Sequence, residues 1–338
     1  MEALEKTNTP LASVCVITYN SAKTIEETLD SAYSQTYENL ELIISDDHSV
    51  DNTIEVCNAW IEKHGNRFKR VQVITVEHNT GTNKNVNRVF KAAKGDWLKL
   101  LSGDDILVPD CVKKLVGYCL TNKNEVCISR VEYFGDEERI VQKTISYESF
   151  YDKYHLLSVK EKYDLLLYHC ILPTPSMIIS KKLLERVNYL DESYTIYEEW
   201  PLLLNILEIG VDIPYISERL VRYRCEGSSL SSRNFNKSKK GETYRGASYI
   251  VYQDGLRFYK SYRRPRLLKQ KRFFDVWDQD TAFKIRGIMM VPKRSTPQKV
   301  KLLLYRIISP GTYRSILNYF HSAPPRLIFD KIKKYLKF

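Results

Sequence analysis

The sequence predicts an α/β fold in which a mostly parallel central sheet is flanked by helices. In the first 110 residues, four short apolar segments alternate with segments of helical length, which is the pattern of βαβ units. Each apolar segment is followed at once by polar or acidic residues. Because parallel sheets bind ligands at the carboxyl ends of their strands, this arrangement also predicts where a site would lie.

The elements of this first half follow from composition and from turn residues. The apolar segments predict strands, and the intervening segments predict helices. The polar residues 18–21 are expected to cap the first helix, and Gly95 is expected to close the third helix as its C-terminal cap. The predicted strands are 11–17, 40–44, 71–76 and 97–101, and the predicted helices are 23–35, 51–63 and 84–93.

The second half of the chain is less regular. A helical run begins at Tyr197 and stops at Gly210, and the remaining apolar segments are 165–171, 176–179, 213–216 and 220–224, of which the last two predict strands. A polar stretch at 227–241 predicts a linker, and beyond it the pattern is helical and basic.

Charge is divided unevenly along the chain. Residues 1–230 contain 26 Lys and Arg against 35 Asp and Glu, whereas residues 231–338 contain 26 against 6. A basic segment of this kind favours an anionic partner, either nucleic acid or phospholipid. The seven cysteines include no CxxC pair, and no apolar run reaches 18 residues. Together with an N-terminus that lacks a secretory signal, these features favour a cytoplasmic protein with reduced thiols.

Four carboxylates follow the predicted strands, as Asp46, Asp47, Asp104 and Asp105. Carboxylates at one sheet edge repel each other unless a cation or a hydrogen-bonding ligand compensates. Mg²⁺ and Mn²⁺ are held by one or two carboxylates together with substrate phosphates, and they neutralise the charge that develops on a diphosphate leaving group. The pair Asp104-Asp105 therefore suggests a metal that bridges to a diphosphate.

Several segments in order resemble the family 2 glycosyltransferases, which are inverting enzymes of the GT-A fold. They are SVCVITYN (13–20), SAYSQTYENLELIISDDHSVDNT (31–53), GTNKNVNRVFKAAKGDWLKLLSGDDILVPD (81–110) and YEEWPLLLNILEIG (197–210). The resemblance implies a GT-A catalytic domain at 1–230, with a nucleotide-sugar-binding half at 10–110 and an acceptor-binding half at 111–230. Residues 231–338 are then a basic, mainly helical extension.

The resemblance also implies roles for individual residues in binding a nucleotide-diphospho-sugar donor. Asp47 matches the carboxylate that bonds a uracil-type base, whereas Asp46 supports the loop. Asp105 matches the ligand of the divalent cation, Mn²⁺ or Mg²⁺, and Asp104 lies nearer the ribose. The other implied donor contacts are Thr18, Tyr19 and Asn20 at the base and ribose, and Lys84 and Asn85 beside the diphosphate and sugar.

Glu199 matches the catalytic base of the family. Inversion requires one in-line displacement, in which a carboxylate takes the proton of the acceptor hydroxyl. The family usually has Glu-Asp where this chain has Glu198-Glu199, so the base here would be one methylene longer.

The stretch Tyr223–Ser231 resembles the closing motif of many members. A histidine often stands there at the position of Glu226, and a carboxylate in its place would repel phosphate. Arg224 either neutralises phosphate or forms a structural ion pair. The processive signature QxxRW is absent, which favours transfer of a single sugar.

The basic extension has aromatic and aliphatic residues interleaved with Lys and Arg, and 325–338 places apolar residues near one helical face. We expect peripheral attachment to an anionic membrane on its cytoplasmic side, which suits a saccharide or lipid-linked saccharide acceptor in cell-surface polysaccharide synthesis. The alternative is a solvated basic face of a packed helical subdomain.

Three other classes of function remain as alternatives. A nucleotidyltransferase or dehydrogenase is disfavoured because no GxGxxG follows the first strand and no GxxxxGK[ST] occurs. A non-enzymatic nucleic-acid-binding protein is disfavoured because the basic segment contains no recognisable motif of that kind, so no nucleic-acid partner is expected. An inactive glycosyltransferase would not need Asp47, Asp104, Asp105 and Glu199 together.

Overall fold

The computed structural model describes residues 9–138, 140, 151, 154–168, 172–195, 197–226, 253–270 and 279–280. The chain divides into two compact units, Met1–Asn236 and Lys237–Phe338. The predictions for 325–338 and for most of the basic extension lie outside the described residues. No helix of the described part is long and apolar enough to cross a membrane.

The first unit alternates strands and helices as the sequence predicted, and its first four strands lie within a few residues of the predicted ranges. The strands are β1 (Ala12–Thr18), β2 (Leu40–Asp46), β3 (Val71–Ile74), β4 (Trp97–Ser102), β5 (Ile106–Leu107), β6 (Val126–Gly135), β7 (Met177–Ser180) and β8 (Tyr215–Cys225). The helices are α1 (Ile25–Tyr33), α2 (Thr53–His64), α3 (Thr82–Ala92), α4 (Cys111–Asn122), α5 (Val159–Leu166), α6 (Lys181–Arg186) and α7 (Glu199–Glu208).

These strands form one eight-stranded sheet in the order β3-β2-β1-β4-β7-β6-β8-β5. The pairs β2–β3, β1–β2 and β1–β4 are parallel. Beyond β4 the sheet is mixed, because β7 pairs antiparallel with β4 and β6 while β8 runs parallel to β6. The strand order reverses between β1 and β4, and such a switch point opens a crevice at the carboxyl ends of the strands.

The central strands are buried on both faces, as parallel strands covered by helices should be. One apolar core joins β1, β2 and β4 to α1, α2 and α4. On the other face of the sheet, Val86, Val89 and Phe90 of α3 are fully buried. When a strand is apolar throughout, its sequence does not indicate which of its faces packs against which helix. The order of the helices along the chain decides this.

Several local predictions are wrong in detail. The predicted strands at 213–216 and 220–224 are replaced by the single strand β8, which begins only at Tyr215 and whose register against β6 shifts between Ser129 and Val131. The side chains of 18–21 do not cap α1, because it is the carbonyl oxygen of Ser21 that accepts the first N–H groups. Helix α7 begins at Glu199 rather than at Tyr197.

Gly95 is not the C-terminal cap of α3, which ends at Ala92 with Ala93 in an extended conformation. Its N–H donates to Ser13 Oγ at 2.9 Å and to Glu41 Oε1 at 3.0 Å. A Cβ at this position would lie 2.4 Å from Ser13 Oγ and 2.8 Å from Ser13 N. A glycine is required here because two backbone segments approach closely.

Glu41 is the buried acceptor of this network. It accepts the Ser13 hydroxyl at 2.6 Å and the Arg70 guanidinium at 2.9 Å, in addition to backbone N–H groups. Burial alone would raise the pKa of Glu41, but these hydrogen bonds outweigh burial and lower it. The network closes the end of the sheet that is opposite to the carboxyl ends of β1 and β2.

In the second unit, residues 253–258 are helical. They continue into a π-helical turn at Tyr259–Arg263 and then into α8 (Arg264–Lys269). Phe258 and Tyr262 pack with their rings 5.1 Å apart.

We predict that Gly95→Ala destabilises the fold by about 1–3 kcal/mol, because the new methyl group meets the backbone of β1. Gly117→Ala is the matched control, since Gly117 lies inside α4 and the added Cβ would meet no atom within 4 Å other than the backbone of its own helix and its chain neighbours. This control should gain about 0.5–1 kcal/mol from helix propensity. Urea unfolding of both variants measures the difference, and an unchanged midpoint for Gly95→Ala would contradict the role given to Gly95.

Candidate active site

The carboxyl ends of β1 and β4 lie side by side at the switch point of the sheet. Ile17 is in register with Ser102, and Gly103 N donates to Ile17 O at 2.9 Å. A Cβ at Gly103 would lie 3.0 Å from Thr18 Oγ1, so the turn that follows β4 packs directly on the end of β1. Within the described residues, the buried Thr18 hydroxyl has no hydrogen-bond partner.

Every carbonyl oxygen of the turn 103–105 is held by a side chain from another part of the chain. The hydroxyl of Thr24 donates to Gly103 O at 2.7 Å, and that of Thr28 donates to Asp105 O at 2.9 Å. Arg224 Nε donates to Asp104 O at 2.9 Å. Helix α1 and strand β8 therefore fix the backbone of the acidic pair.

The two aspartates of the pair differ in access. Asp105 is buried, and its Oδ1 accepts the backbone N–H of Arg224 at 2.9 Å. Asp104 is half-exposed. Burial raises the pKa of both carboxyls, and that of Asp105 is raised well above its usual value, with Asp104 as the second cause. Asp104 is thus the member of the pair that solvent and ligands can reach more easily.

The loops after β1 and β2 are tied to each other. Asn20 N donates to Ser49 Oγ at 2.8 Å, and Val50 N donates to Asn20 Oδ1 at 2.9 Å. Asn20 adopts a left-handed conformation with φ of 55°, which asparagine tolerates better than most residues. Asp46 accepts Ser49 N at 2.8 Å and so supports its own loop. Tyr19 directly precedes Asn20, and its side chain is exposed.

Asp47 holds the loop that precedes α3. Its carboxylate accepts Thr80 N at 3.0 Å and Gly81 N at 2.7 Å, and Arg88 Nη2 lies 3.4 Å from Oδ1. Arg88 also donates to the Thr80 hydroxyl at 2.7 Å. Sequence reasoning missed Arg88, because an arginine in the middle of a helix carries no motif of its own, although its place one helical turn after Lys84 was a usable signal.

Lys84 and Asn85 lie in the first turns of α3 but differ in exposure. Lys84 is exposed, whereas Asn85 is buried. The Asn85 amide is 3.4 Å from Thr18 O, and its carbonyl oxygen accepts Arg88 Nη1 at 3.0 Å. Asn85 therefore joins the end of β1 to α3.

Two other asparagines of α3 hold the segment that leads to α7. Asn83 Nδ2 donates to Asp191 O at 2.9 Å and to Tyr194 O at 3.3 Å. Asn87 Nδ2 donates to Leu190 O at 2.9 Å, and Asn87 Oδ1 accepts Leu190 N at 3.0 Å. These contacts bring the start of α7 to the same helix whose N-terminal loop is bound by Asp47.

Glu198 lies at the edge of the site, where its side chain is hydrogen-bonded to Thr82 at the start of α3. Burial, followed by the neighbouring Glu199 carboxylate, raises the pKa of Glu198 to about 8. Both glutamates are half-exposed. Glu199 is the first residue of α7, where a carboxylate interacts favourably with the helix dipole.

No group of three or more His, Cys, Asp and Glu side chains in the described part of the chain is arranged to hold a metal ion. The turn 103–105, here called the acidic turn, nevertheless fits a hard cation. Glu27 and Glu226 are ion-paired with the guanidinium of Arg224, which also donates to the carbonyl oxygen of Asp104. The carboxylate of Asp105 accepts the backbone N–H of the same arginine. Carboxylate oxygens are the ligands that Mg²⁺ and Mn²⁺ prefer, and substrate phosphates would complete the coordination of the ion.

We predict that the stability of the protein falls as the pH rises from about 4.5 to about 8, in part because of Glu198. In that window the folded state keeps the Glu198 proton that the unfolded state has released, so raising the pH favours unfolding. The melting temperature of Glu198→Gln should fall less between about pH 6 and pH 9 than that of the unsubstituted protein.

Glu208→Gln is the control for this measurement, because Glu208 is exposed at the other end of α7. It should follow the pH dependence of the unsubstituted protein. Equal losses of melting temperature in all three proteins would show that Glu198 is ionised in the folded state at neutral pH.

Comparison with known proteins gives a family for the chain. The model of the family described as Glycosyl transferase family 2 matches residues 13–187, which is more than half of the chain. That range contains all of β1 except Ala12, together with the acidic turn and α3. The first three of the four resembling segments fall inside it, and the fourth, at 197–210, lies beyond it.

Curated relatives are similar over about two thirds of the chain. UDP-Glc:alpha-D-GlcNAc-diphosphoundecaprenol beta-1,3-glucosyltransferase WfaP of Escherichia coli is 27% identical over 228 residues, which cover 67% of this chain and 81% of that protein. The minor teichoic acid biosynthesis protein GgaB of Bacillus subtilis is 24% identical over 230 residues, which cover 68% of this chain and 24% of that protein.

Solved structures show the same fold at low identity. TarS 1–349 of S. aureus in complex with UDP-GlcNAc superposes with a TM-score of 0.53 at 18% identity, covering 87% of this chain and 83% of that chain. Its complex with UDP gives a TM-score of 0.51 at 19% identity, with the same coverage. The chain therefore has the GT-A fold and belongs to glycosyl transferase family 2.

Proposed function

We propose that this glycosyltransferase transfers one sugar from a UDP-sugar to a hydroxyl of a saccharide or lipid-linked saccharide, with inversion, in the synthesis of a cell-surface polysaccharide. The observation that carries the proposal is the arrangement of three parts around α3 and the switch point. These are the acidic turn, the Asp47-bound loop that precedes α3, and the Glu198–Glu199 pair at the start of α7, which contacts Thr82 of α3. The donor and acceptor classes are supported by the name of the Escherichia coli relative, by the teichoic acid relative and by the nucleotide complexes of TarS.

The donor would lie across the carboxyl ends of β1, β2 and β4. Tyr19 is exposed there and suits stacking on the base, and Thr18 and Asn20 flank it. Asp47 and Lys84 lie on the side of α3, where Lys84 would pair with the diphosphate. Asn85 acts through its contacts with Thr18 O and Arg88 rather than through the donor itself.

A divalent cation, Mn²⁺ or Mg²⁺, would be held by the acidic turn and by the donor diphosphate, and it would supply charge neutralisation for the leaving group. The resemblance favours Asp105 as its ligand and Asp104 as the ribose contact. The geometry supports the opposite division. Asp104 is half-exposed, whereas Asp105 is buried and accepts the Arg224 N–H, so we assign the direct ligand role to Asp104 and the positioning role to Asp105.

Glu199 is proposed as the base. It would take the proton of the acceptor hydroxyl while that oxygen attacks the anomeric carbon and the bond to the diphosphate breaks, with its electron pair leaving on the UDP oxygen. Glu198 suits this role less well at neutral pH, because its raised pKa favours the protonated form and its side chain is bonded to Thr82.

Donor binding and transfer are separable, and this gives the main test. Titration calorimetry with UDP-sugars, with and without Mn²⁺, should show metal-dependent binding that falls about tenfold or more in Asp104→Asn, because the ligand to the bridging cation is removed. Glu199→Gln should keep donor affinity within about twofold while transfer falls about 10²- to 10⁴-fold.

Two matched variants make this test specific. Asp110→Asn should leave binding and transfer unchanged, because Asp110 accepts the Thr36 hydroxyl at 2.6 Å at the start of α4, away from the turn. Asp105→Asn should weaken binding less than Asp104→Asn if the division of roles is right. Absence of binding by any UDP-sugar, or loss of donor affinity in Glu199→Gln, would overturn the proposal.

We further propose that the enzyme lies on the cytoplasmic face of the membrane through its basic extension. Residues 231–338 carry 26 basic against 6 acidic residues, and such segments bind anionic lipid by about 1 kcal/mol per basic side chain near the surface. The chain should co-sediment with phosphatidylglycerol vesicles at low salt but not with phosphatidylcholine vesicles. Deletion of 325–338 should weaken this binding, and full binding after the deletion would contradict its role.

A further inference from the structure

The guanidinium of Arg224 has two carboxylate partners in addition to the acidic turn. Nη2 is ion-paired with Glu27 of α1, and Nη1 lies 3.1 Å from Glu226 Oε1. The side chain of Arg224 is 13% exposed and lies over the Phe134 ring at 4.5 Å, whereas those of Glu27 and Glu226 are 53% and 47% exposed. A mainly buried cation is therefore shared by two carboxylates that face solvent.

The guanidinium of Arg224 lies where the proposed diphosphate would bind. Arg224 Nε is 2.9 Å from the carbonyl oxygen of Asp104, the residue that we assign to the cation bridging to the donor. A guanidinium can bind two phosphate oxygens at once, and such contacts are stronger than those between neutral groups. Phosphate oxygens near Asp104 would thus be in competition with the carboxylates that Arg224 already holds.

Glu226 is the partner that can be displaced more easily. Glu27 is fixed in the first turn of α1, whereas Glu226 follows the last residue of β8. The backbone before it is fixed, because Asp136 N donates to Cys225 O at 2.9 Å, so the Glu226 side chain can turn away without movement of Arg224. An ion pair with an exposed partner contributes about 0–1 kcal/mol, so its loss costs little.

We propose that Glu226 competes with the donor diphosphate for the guanidinium of Arg224, and that it thereby weakens the binding of UDP and of the UDP-sugar. The inference rests on the proposed function, since it requires a diphosphate at the acidic turn. Its sign is unusual, because removal of a charged residue from the site should improve binding of the nucleotide.

The test is the dissociation constant of UDP in the presence of excess Mg²⁺, measured by calorimetry on the full chain. Glu226→Gln should bind UDP about two- to fivefold more tightly than the unsubstituted protein. This factor corresponds to the free energy of a partly exposed ion pair. Glu132→Gln is the matched control, because Glu132 is similarly exposed and pairs with Arg222 of β8 at 3.5 Å. The control should leave UDP affinity unchanged.

A second background separates competition from general repulsion. In Arg224→Gln the guanidinium is absent, so Glu226→Gln should give no gain, whereas simple repulsion between Glu226 and phosphate would give the same gain in both backgrounds and would overturn the proposal. If Arg224→Gln does not fold, Arg224→Lys serves, because an ammonium cannot bind both carboxylates and the turn, and the gain should fall below about twofold.

The outcomes also distinguish this inference from the function on which it rests. If the unsubstituted protein does not bind UDP at all, the proposed donor is wrong. If it binds UDP and Glu226→Gln binds it equally or more weakly, the donor class stands and the competition is wrong.

Discussion

The site depends on holding two adjacent carboxylates in place at the end of β4. Carboxylates that are close together and partly buried repel each other, so the backbone that carries them needs support from elsewhere. Here the support comes through carbonyl oxygens, which accept hydrogen bonds from Thr24, Thr28 and Arg224. The carboxylate of Asp104 is thus left available, because the turn is fixed through its peptide groups. The same contacts connect α1 and β8 to the turn.

Helix α3 makes the second set of connections. Its buried face packs on the sheet, and its amide side chains hold residues 190–194 through their backbone groups. Asn83 donates to the carbonyl oxygens of Asp191 and Tyr194, whereas Asn87 both donates to and accepts from the peptide groups of Leu190, so together they satisfy several backbone groups in 190–194. The loop before the helix is bound by Asp47. A single element therefore joins the proposed donor side to the glutamate pair.

The order of strands and helices up to residue 110 could be predicted from the sequence, because an apolar run that ends in polar residues is a local signal. The closely approaching Gly95, the bulged strand β8 and the contacts of Arg88 could not, since they depend on residues distant in the chain. For the site, proximity of Thr18, Asp47 and the acidic turn followed from the parallel topology. The difference in access between Asp104 and Asp105 did not, because two neighbouring aspartates look alike until β8 is placed beside one of them.

The amide contacts of α3 also bear on how far this protein can be divided into exchangeable modules. A chimaera joined between residues 110 and 111 would combine α3 of one parent with the segment 188–198 of the other. Asn83 and Asn87 would then face backbone groups that evolved beside different side chains. Exchange of the second half between relatives should therefore include α3, even though that helix belongs by sequence order to the first half.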